Sequence, residues 1–218
     1  MELQKFKTSG KFLDVGCSYG IGVKAAQDAG YDAYGIEPTK HAAIYAKKHL
    51  HERIIQSTLE KAKLRSDSFD IVTLYDVLEH IPNIKGFLKE IHRILKPGGL
   101  LAVQSPNIES FAARTLKTNW NWLLVPNHLW HFSSQSLSNV LKNSGFSVVL
   151  TTTEDNIYDF ASNLKSNIHF PLLSSGVVFK GLRQILYICT YGFIALGTVM
   201  WHRIGKGGSL RIYSQKTE

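Results

Sequence analysis

The chain has 218 residues and a mass of 24.5 kDa; 44% of its residues are hydrophobic and 19% charged, which suits one α/β domain with a full core and excludes a disordered chain. Two cysteines, Cys17 and Cys189, exclude a disulfide scaffold and a cysteine-rich zinc site and fit a reducing, cytoplasmic setting. The net charge of +8 is uneven: residues 1–159 carry +2, whereas residues 160–218 carry seven basic side chains and one acid, net +6, around the uncharged run Ile185 to Trp201.

Met1 to Gly10 has no apolar core or small-residue cleavage site and is not a signal peptide. Lys11 to Val15 reads as a short buried strand, and Val23 to Gly30 as the helix after it. Tyr31 to Glu37 is a second strand closed by Pro38, and Thr39 is placed to cap a helix over Lys40 to Leu50. Arg53 to Gln56 and Phe69 to Tyr75 are the third and fourth strands. Ile84 to Leu95 carries Phe87, Leu88, Ile91, Ile94 and Leu95 on one helical face, and Lys96-Pro97-Gly98-Gly99 ends it in a turn. Leu100 to Gln104 is a fifth strand, Ser105 to Phe132 a loop, and Ser136 to Asn143 a helix. Phe146 to Thr152 and Ser209 to Ser214 complete seven strands. Strands alternating with helices predict a Rossmann-like α/β fold: a mostly parallel seven-stranded sheet, helices on both faces, and ligands at the carboxyl ends of the strands.

The first strand–helix loop reads Asp14-Val15-Gly16-Cys17-Ser18-Tyr19-Gly20. It lacks the Gly-x-Gly-x-x-Gly of dinucleotide sites and the Gly-Lys-Ser/Thr of phosphate loops. An acid just before the glycines repels a pyrophosphate and attracts a cation. A second acid, Glu37, ends the next strand, where a carboxylate can accept both hydroxyls of a ribose. Together they point to a nucleoside ligand with a positive centre.

The segments LDVGCSYG, YGIEP, SFDIVTLYDVLEHI, IHRILKPGGLLAVQSPN and HLWHFSSQSLSNVLKNSGF follow one another in that order. In this the chain resembles the class I S-adenosylmethionine-dependent methyltransferases, and within them the small-molecule branch that includes the ubiquinone-biosynthesis O-methyltransferases. The resemblance covers roughly Lys11 to Thr152. It implies S-adenosylmethionine as cofactor and a small or lipid-linked acceptor methylated at oxygen. It implies that Asp14, Gly16, Cys17 and Gly20 shape the pocket for the methionine part, with Asp14 facing the amino group. Glu37 would hold the ribose, Thr58 and Leu59 would lie at the adenine, and Tyr75 beside the methyl donor. Ser18 stands where the family most often has Gly, and Thr58 where it often has Asp.

A hydroxyl or amine nucleophile needs a base. One group of candidates is Asp76, Glu79 and His80, which would share a face if the run were helical. In the ubiquinone-type enzymes a similar run can hold a divalent cation; the run is common without one, and no metal is assigned here. The other group is His128 and His131, in a loop with Phe111, Trp120, Trp122 and Trp130 that could form an apolar acceptor pocket. His128 and His80 are the candidates carried forward, His128 first. Cys17 is better suited to filling space than to nucleophilic work.

The predicted organisation is a methyltransferase core over 1–152, an apolar and basic helical insertion over 153–208, and the last core strand over 209–218. The uncharged run of 17 residues falls short of the ~20 that span a bilayer. Two readings of 181–201 stay open: a peripheral contact with the inner face of a membrane, or a lid or homodimer interface. No nucleic-acid module is recognisable. A second functional reading is a non-catalytic or partner-completed cofactor-binding module, because only about ten residues precede the first strand.

Overall fold

A computed structural model describes residues 2–154, 201, 202 and 204–217. The run 185–200 and Cys189 therefore lie outside the described residues. The chain forms two compact units: Met1–Ser105 with Gln135–Thr151 and Arg211–Glu218, and Pro106–Ser134 with Thr152–Leu210.

The first unit is organised by a seven-stranded sheet of order β3-β2-β1-β4-β5-β7-β6. Its strands are β1 Lys11–Val15, β2 Asp32–Ile36, β3 Ile54–Ile55, β4 Phe69–Tyr75, β5 Leu95–Pro106, β6 Phe146–Glu154 and β7 Ser209–Lys216. The β1–β2, β1–β4, β2–β3 and β4–β5 pairings are parallel. On β7 the direction reverses: Arg211 bonds Gln104, Ser214 reaches the Leu101 carbonyl, and Lys216 the Leu95 carbonyl. Partner numbers fall as β7 advances, so β7 runs antiparallel to β5. The sheet is thus Rossmann-like and mostly parallel, as the alternation of strands and helices predicts.

The helices are α1 Ile21–Asp28, α2 Lys40–Leu50, α3 Ile84–Ile94, α4 Phe111–Leu116 and α5 Ser134–Lys142. α3 shows why its sequence is helical. Phe87, Leu88, Ile91 and Ile94 are buried along one stripe, and the Asn83 side chain caps the start by accepting from the Gly86 amide at 3.0 Å. Central strands are buried on both faces: Phe12, Leu13 and Val15 of β1 and Ile71, Val72 and Leu74 of β4 are core residues.

Three expectations need correction. Thr39 occupies the cap position of α2, but its side chain makes no capping bond; its amide is instead held by Glu37. The turn Lys96-Pro97-Gly98-Gly99 lies inside β5, where pairing jumps from Phe69↔Leu95 to Ile71↔Leu100 and the extra residues bulge outward around Gly98 at φ 66°. The loop after β5 contains α4, capped by the Ser110 hydroxyl, which accepts from the Ala113 amide at 3.0 Å. That helix packs Ala112 and Ala113 against Trp120 in a small core of the second unit.

The junction of β1, β2 and α1 has no spare room. A Cβ on Gly35 would sit 2.5 Å from the Cys17 sulfur and 2.8 Å from Val23 Cγ2. Gly35→Ala is expected to lower stability by about 1–3 kcal/mol, the usual cost of overpacking a filled core, read as a lower midpoint in urea unfolding.

Candidate cofactor site at the ends of the first two strands

Parallel pairing of β1 with β2 (Val15↔Ile36) brings the carboxyl ends of both strands to one edge. The loop leaving β1 is tied to the end of β2: the Gly16 and Cys17 amides both donate to the Ile36 carbonyl, at 2.8 and 3.0 Å. The turn then closes with the Gly20 amide donating to the Cys17 carbonyl at 2.8 Å. Gly16 and Gly20 stand at φ 78° and 81°, and a Cβ on either would lie 2.5 Å from a neighbour, Val77 or Leu50. Ser18 is also left-handed, at φ 49°. The backbone there suits glycine, which gives a physical reason for the family preference that this chain departs from.

Glu37 follows β2 directly and is only 6% exposed. Its Oε2 accepts from the Ser18 amide at 2.9 Å and its Oε1 from the Thr39 amide at 2.7 Å. The carboxylate is therefore locked to the glycine loop, with lone pairs left over on both oxygens. Asp14, 7% exposed, accepts from the Thr73 hydroxyl at 2.7 Å. Gly22, in the first turn of α1, leaves the space that Asp14 Oδ2 fills, 2.5 Å from where a Cβ would be.

No cationic side chain among the described residues pairs with either acid. Burial pushes the Asp14 carboxyl up to about 6, the Thr73 hydrogen bond opposes the rise, and the Glu37 charge adds to it. The same environment pushes the Cys17 thiol up to about 12, burial again leading. Cys17 is thus a buried neutral wedge between α1 and β2. Two buried acids without a counter-cation, beside a loop where side chains are excluded, suit a ligand that brings hydroxyls and positive charge.

Tyr75, at the end of β4, is half-buried under the Arg211 guanidinium, 5.3 Å from its ring centre. Arg211 donates to Gln104 Oε1 at 2.7 and 3.2 Å, Gln104 donates to Asp76 at 3.3 Å, and Glu2 pairs with Arg211 at 3.6 Å while accepting from the Tyr213 hydroxyl at 2.9 Å. This relay positions the end of β4, and none of its long-range members is visible from local sequence. Leu59 is buried and Thr58 half-buried on the segment after β3.

The run after β4 is not one helical face. Asp76 is exposed at φ 55°, a 3-10 turn covers Leu78–His80, Glu79 is fully buried and His80 exposed. Burial pushes Glu79 up to about 7, with Asp76 adding to the rise. Neither Glu79 oxygen nor the buried Ser105 hydroxyl has a hydrogen-bond partner among the described residues.

His128 belongs to the second unit and is 5% exposed. Its Nδ1 lies 2.8 Å from the Trp122 carbonyl, which can only accept, so Nδ1 carries the proton and Nε2 is the basic nitrogen. His131 Nε2 contacts the Leu123 carbonyl at 2.9 Å. The four aromatic residues of this loop do not gather into one lining. Trp120 is a core residue, Phe111 stacks on Trp201 at 4.0 Å, and Trp130 is exposed.

A family model described as a methyltransferase domain matches residues 2–151. The chain belongs to the methyltransferase-domain family. Among its curated relatives is a ubiquinone biosynthesis O-methyltransferase of Haemophilus ducreyi, 34% identical over 117 residues, which are 49% of this methyltransferase-domain chain and 47% of that protein. The chain spans about half the length of the curated relatives it matches. Two solved structures share its fold. One is an S-adenosylmethionine-dependent methyltransferase, a possible histamine N-methyltransferase, of Thermotoga maritima, with a TM-score of 0.61 and 22% identity over 95% of this chain and 83% of that one. The other is an S-adenosylmethionine-dependent methyltransferase of Archaeoglobus fulgidus, with a TM-score of 0.65 and 16% identity over 99% and 91%.

Two outcomes are expected from the site chemistry. A carboxyl whose folded value is raised binds its proton more tightly in the folded state, so it costs stability as pH rises from about 4 to about 6. Asp14→Asn is therefore expected to stabilise the ligand-free protein at pH 8 by on the order of 1–3 kcal/mol, with the difference vanishing near pH 4, in thermal unfolding followed across pH. The Cys17 thiol is expected to resist alkylation at pH 8 in the folded protein and to react once the chain is unfolded, as read by mass spectrometry.

Proposed function

We propose that this chain is an S-adenosylmethionine-dependent methyltransferase that transfers a methyl group to oxygen on a small or lipid-linked acceptor. The observation that carries the reading is the pair of buried carboxylates at the ends of β1 and β2, without a cationic partner among the described residues and with Glu37 locked to the glycine loop. The family match and the O-methyltransferase names of the curated relatives support it. S-adenosylmethionine, when bound, supplies a methyl group on a positively charged sulfonium centre. Asp14 takes the amino group of the methionine part, and Glu37 accepts from the ribose hydroxyls through its remaining lone pairs. Gly16 and Gly20 leave the backbone open to a close approach. Tyr75, fixed beneath Arg211, borders the reacting end of the pocket. The family resemblance assigns His128, whose Nδ1 lies at the Trp122 carbonyl, as the base for the acceptor proton.

Glu37→Ala is expected to weaken S-adenosylmethionine binding at least tenfold by titration calorimetry; an unchanged affinity would remove the ribose assignment. Wild-type protein is expected to release S-adenosylhomocysteine with at least one member of a panel of phenolic and catechol acceptors, and His128→Ala to lower that turnover by about 10²–10⁴-fold. Tight cofactor binding with no turnover on any acceptor would favour the non-catalytic module instead.

A further inference from the structure

The solvent side of α2 is unlike that of an ordinary surface helix, whose bulky apolar residues face the core. Here the inward face is Ala42, Ala43, Ala46 and Leu50, while Ile44 and Tyr45 point outward at 54% and 51% exposure. Their rings and branches do not stand alone. Tyr19, from the glycine loop, meets His41 at 6.2 Å and Tyr45 edge-on at 5.3 Å, and Tyr45 meets His49 at 4.9 Å. Ile21, two residues on from Tyr19, is 77% exposed. An exposed chain of ring contacts, Tyr19, His41, Tyr45 and His49, therefore runs from the loop along the helix, with Ile21 and Ile44 exposed on the two helices it borders.

The charge on this strip has one sign. α2 holds Lys40, Lys47 and Lys48 and no acid, and none of the three lysines is in an ion pair among the described residues. They flank the apolar centre at both ends, about 12 Å apart along the axis. We propose that the outer face of α2, with Tyr19 and Ile21, is a docking surface for an anionic phospholipid bilayer. The one-signed charge of the face complements an anionic headgroup layer. Its tyrosines have the amphipathic character of interfacial residues, and its lysine stems can extend beside the buried apolar tips while their heads reach the phosphates. The inference does not depend on the proposed reaction. It also involves a different part of the chain from 181–201.

The test is co-sedimentation of the full chain with equimolar phosphatidylglycerol–phosphatidylcholine vesicles and with pure phosphatidylcholine vesicles. Binding is expected to be at least tenfold tighter to the anionic vesicles. The triple variant Lys40→Glu, Lys47→Glu, Lys48→Glu is expected to lose at least tenfold of that affinity with an unchanged thermal midpoint. An environment-sensitive fluorophore on Ile44→Cys, in a Cys189→Ser background, is expected to shift to the blue with anionic vesicles only. The proposal is overturned if the wild type does not sediment, if the triple variant binds as the wild type does, or if the label emission does not move while the protein sediments. Binding to duplex DNA without binding to vesicles would likewise overturn it.

Discussion

Two carboxylates buried at adjacent strand ends, with no cationic partner among the described residues, are the constraint around which the first unit is arranged. Asp14 and Glu37 repel one another, and each gives up water on burial. The fold compensates with oriented neutral donors: the Thr73 hydroxyl for one, the Ser18 and Thr39 amides for the other. For Asp14 the Thr73 hydrogen bond offsets only part of the desolvation. Asp14 is thus left with an electrostatic deficit in a protein whose net charge is +8. A cationic ligand removes the deficit and gains more from the site than it would from carboxylates already paired.

The close packing beneath the loop serves the same end. Cys17 fills the gap over Gly35, and Gly16 approaches Val77, so the loop cannot settle further onto the sheet or lift from it without losing contacts. Around the end of β4, Arg211 reaches across from β7 to Gln104 and Tyr75, tying a residue near the end of the chain to the edge of the pocket. The last strand is thereby joined to the carboxyl end of β4 by side-chain contacts.

Much of this was readable in order along the chain. β4 and α2 fall at the residues their patterns predict, because Phe69 to Tyr75 is apolar apart from Asp70 and Thr73, and α2 follows the Pro38-Thr39 pair. Asp14 and Glu37 were legible as acids at strand ends because a parallel sheet sends its ligands to that edge. What could not be read depends on contacts between distant residues. The burial of Glu79 beside an exposed Asp76 follows from a left-handed residue that a helical pattern does not foresee. The Thr73 and Arg211 contacts span 59 and 107 residues. The bulge at Gly98 was hidden because turn residues look alike whether they end an element or interrupt one. The aromatic loop misled because Trp120 was worth more as packing for Ala112 and Ala113 than as a lining.

The short strands of this sheet give it an unusual kind of exactness. β1 and β2 have five residues each and are in register from Lys11↔Asp32 to Val15↔Ile36. Successive side chains on a strand point to opposite faces. Adding or removing one residue in β2 would turn Glu37 away from the Ser18 amide and toward the other side of the sheet. Strand length here therefore fixes which face of the sheet the Glu37 carboxylate serves.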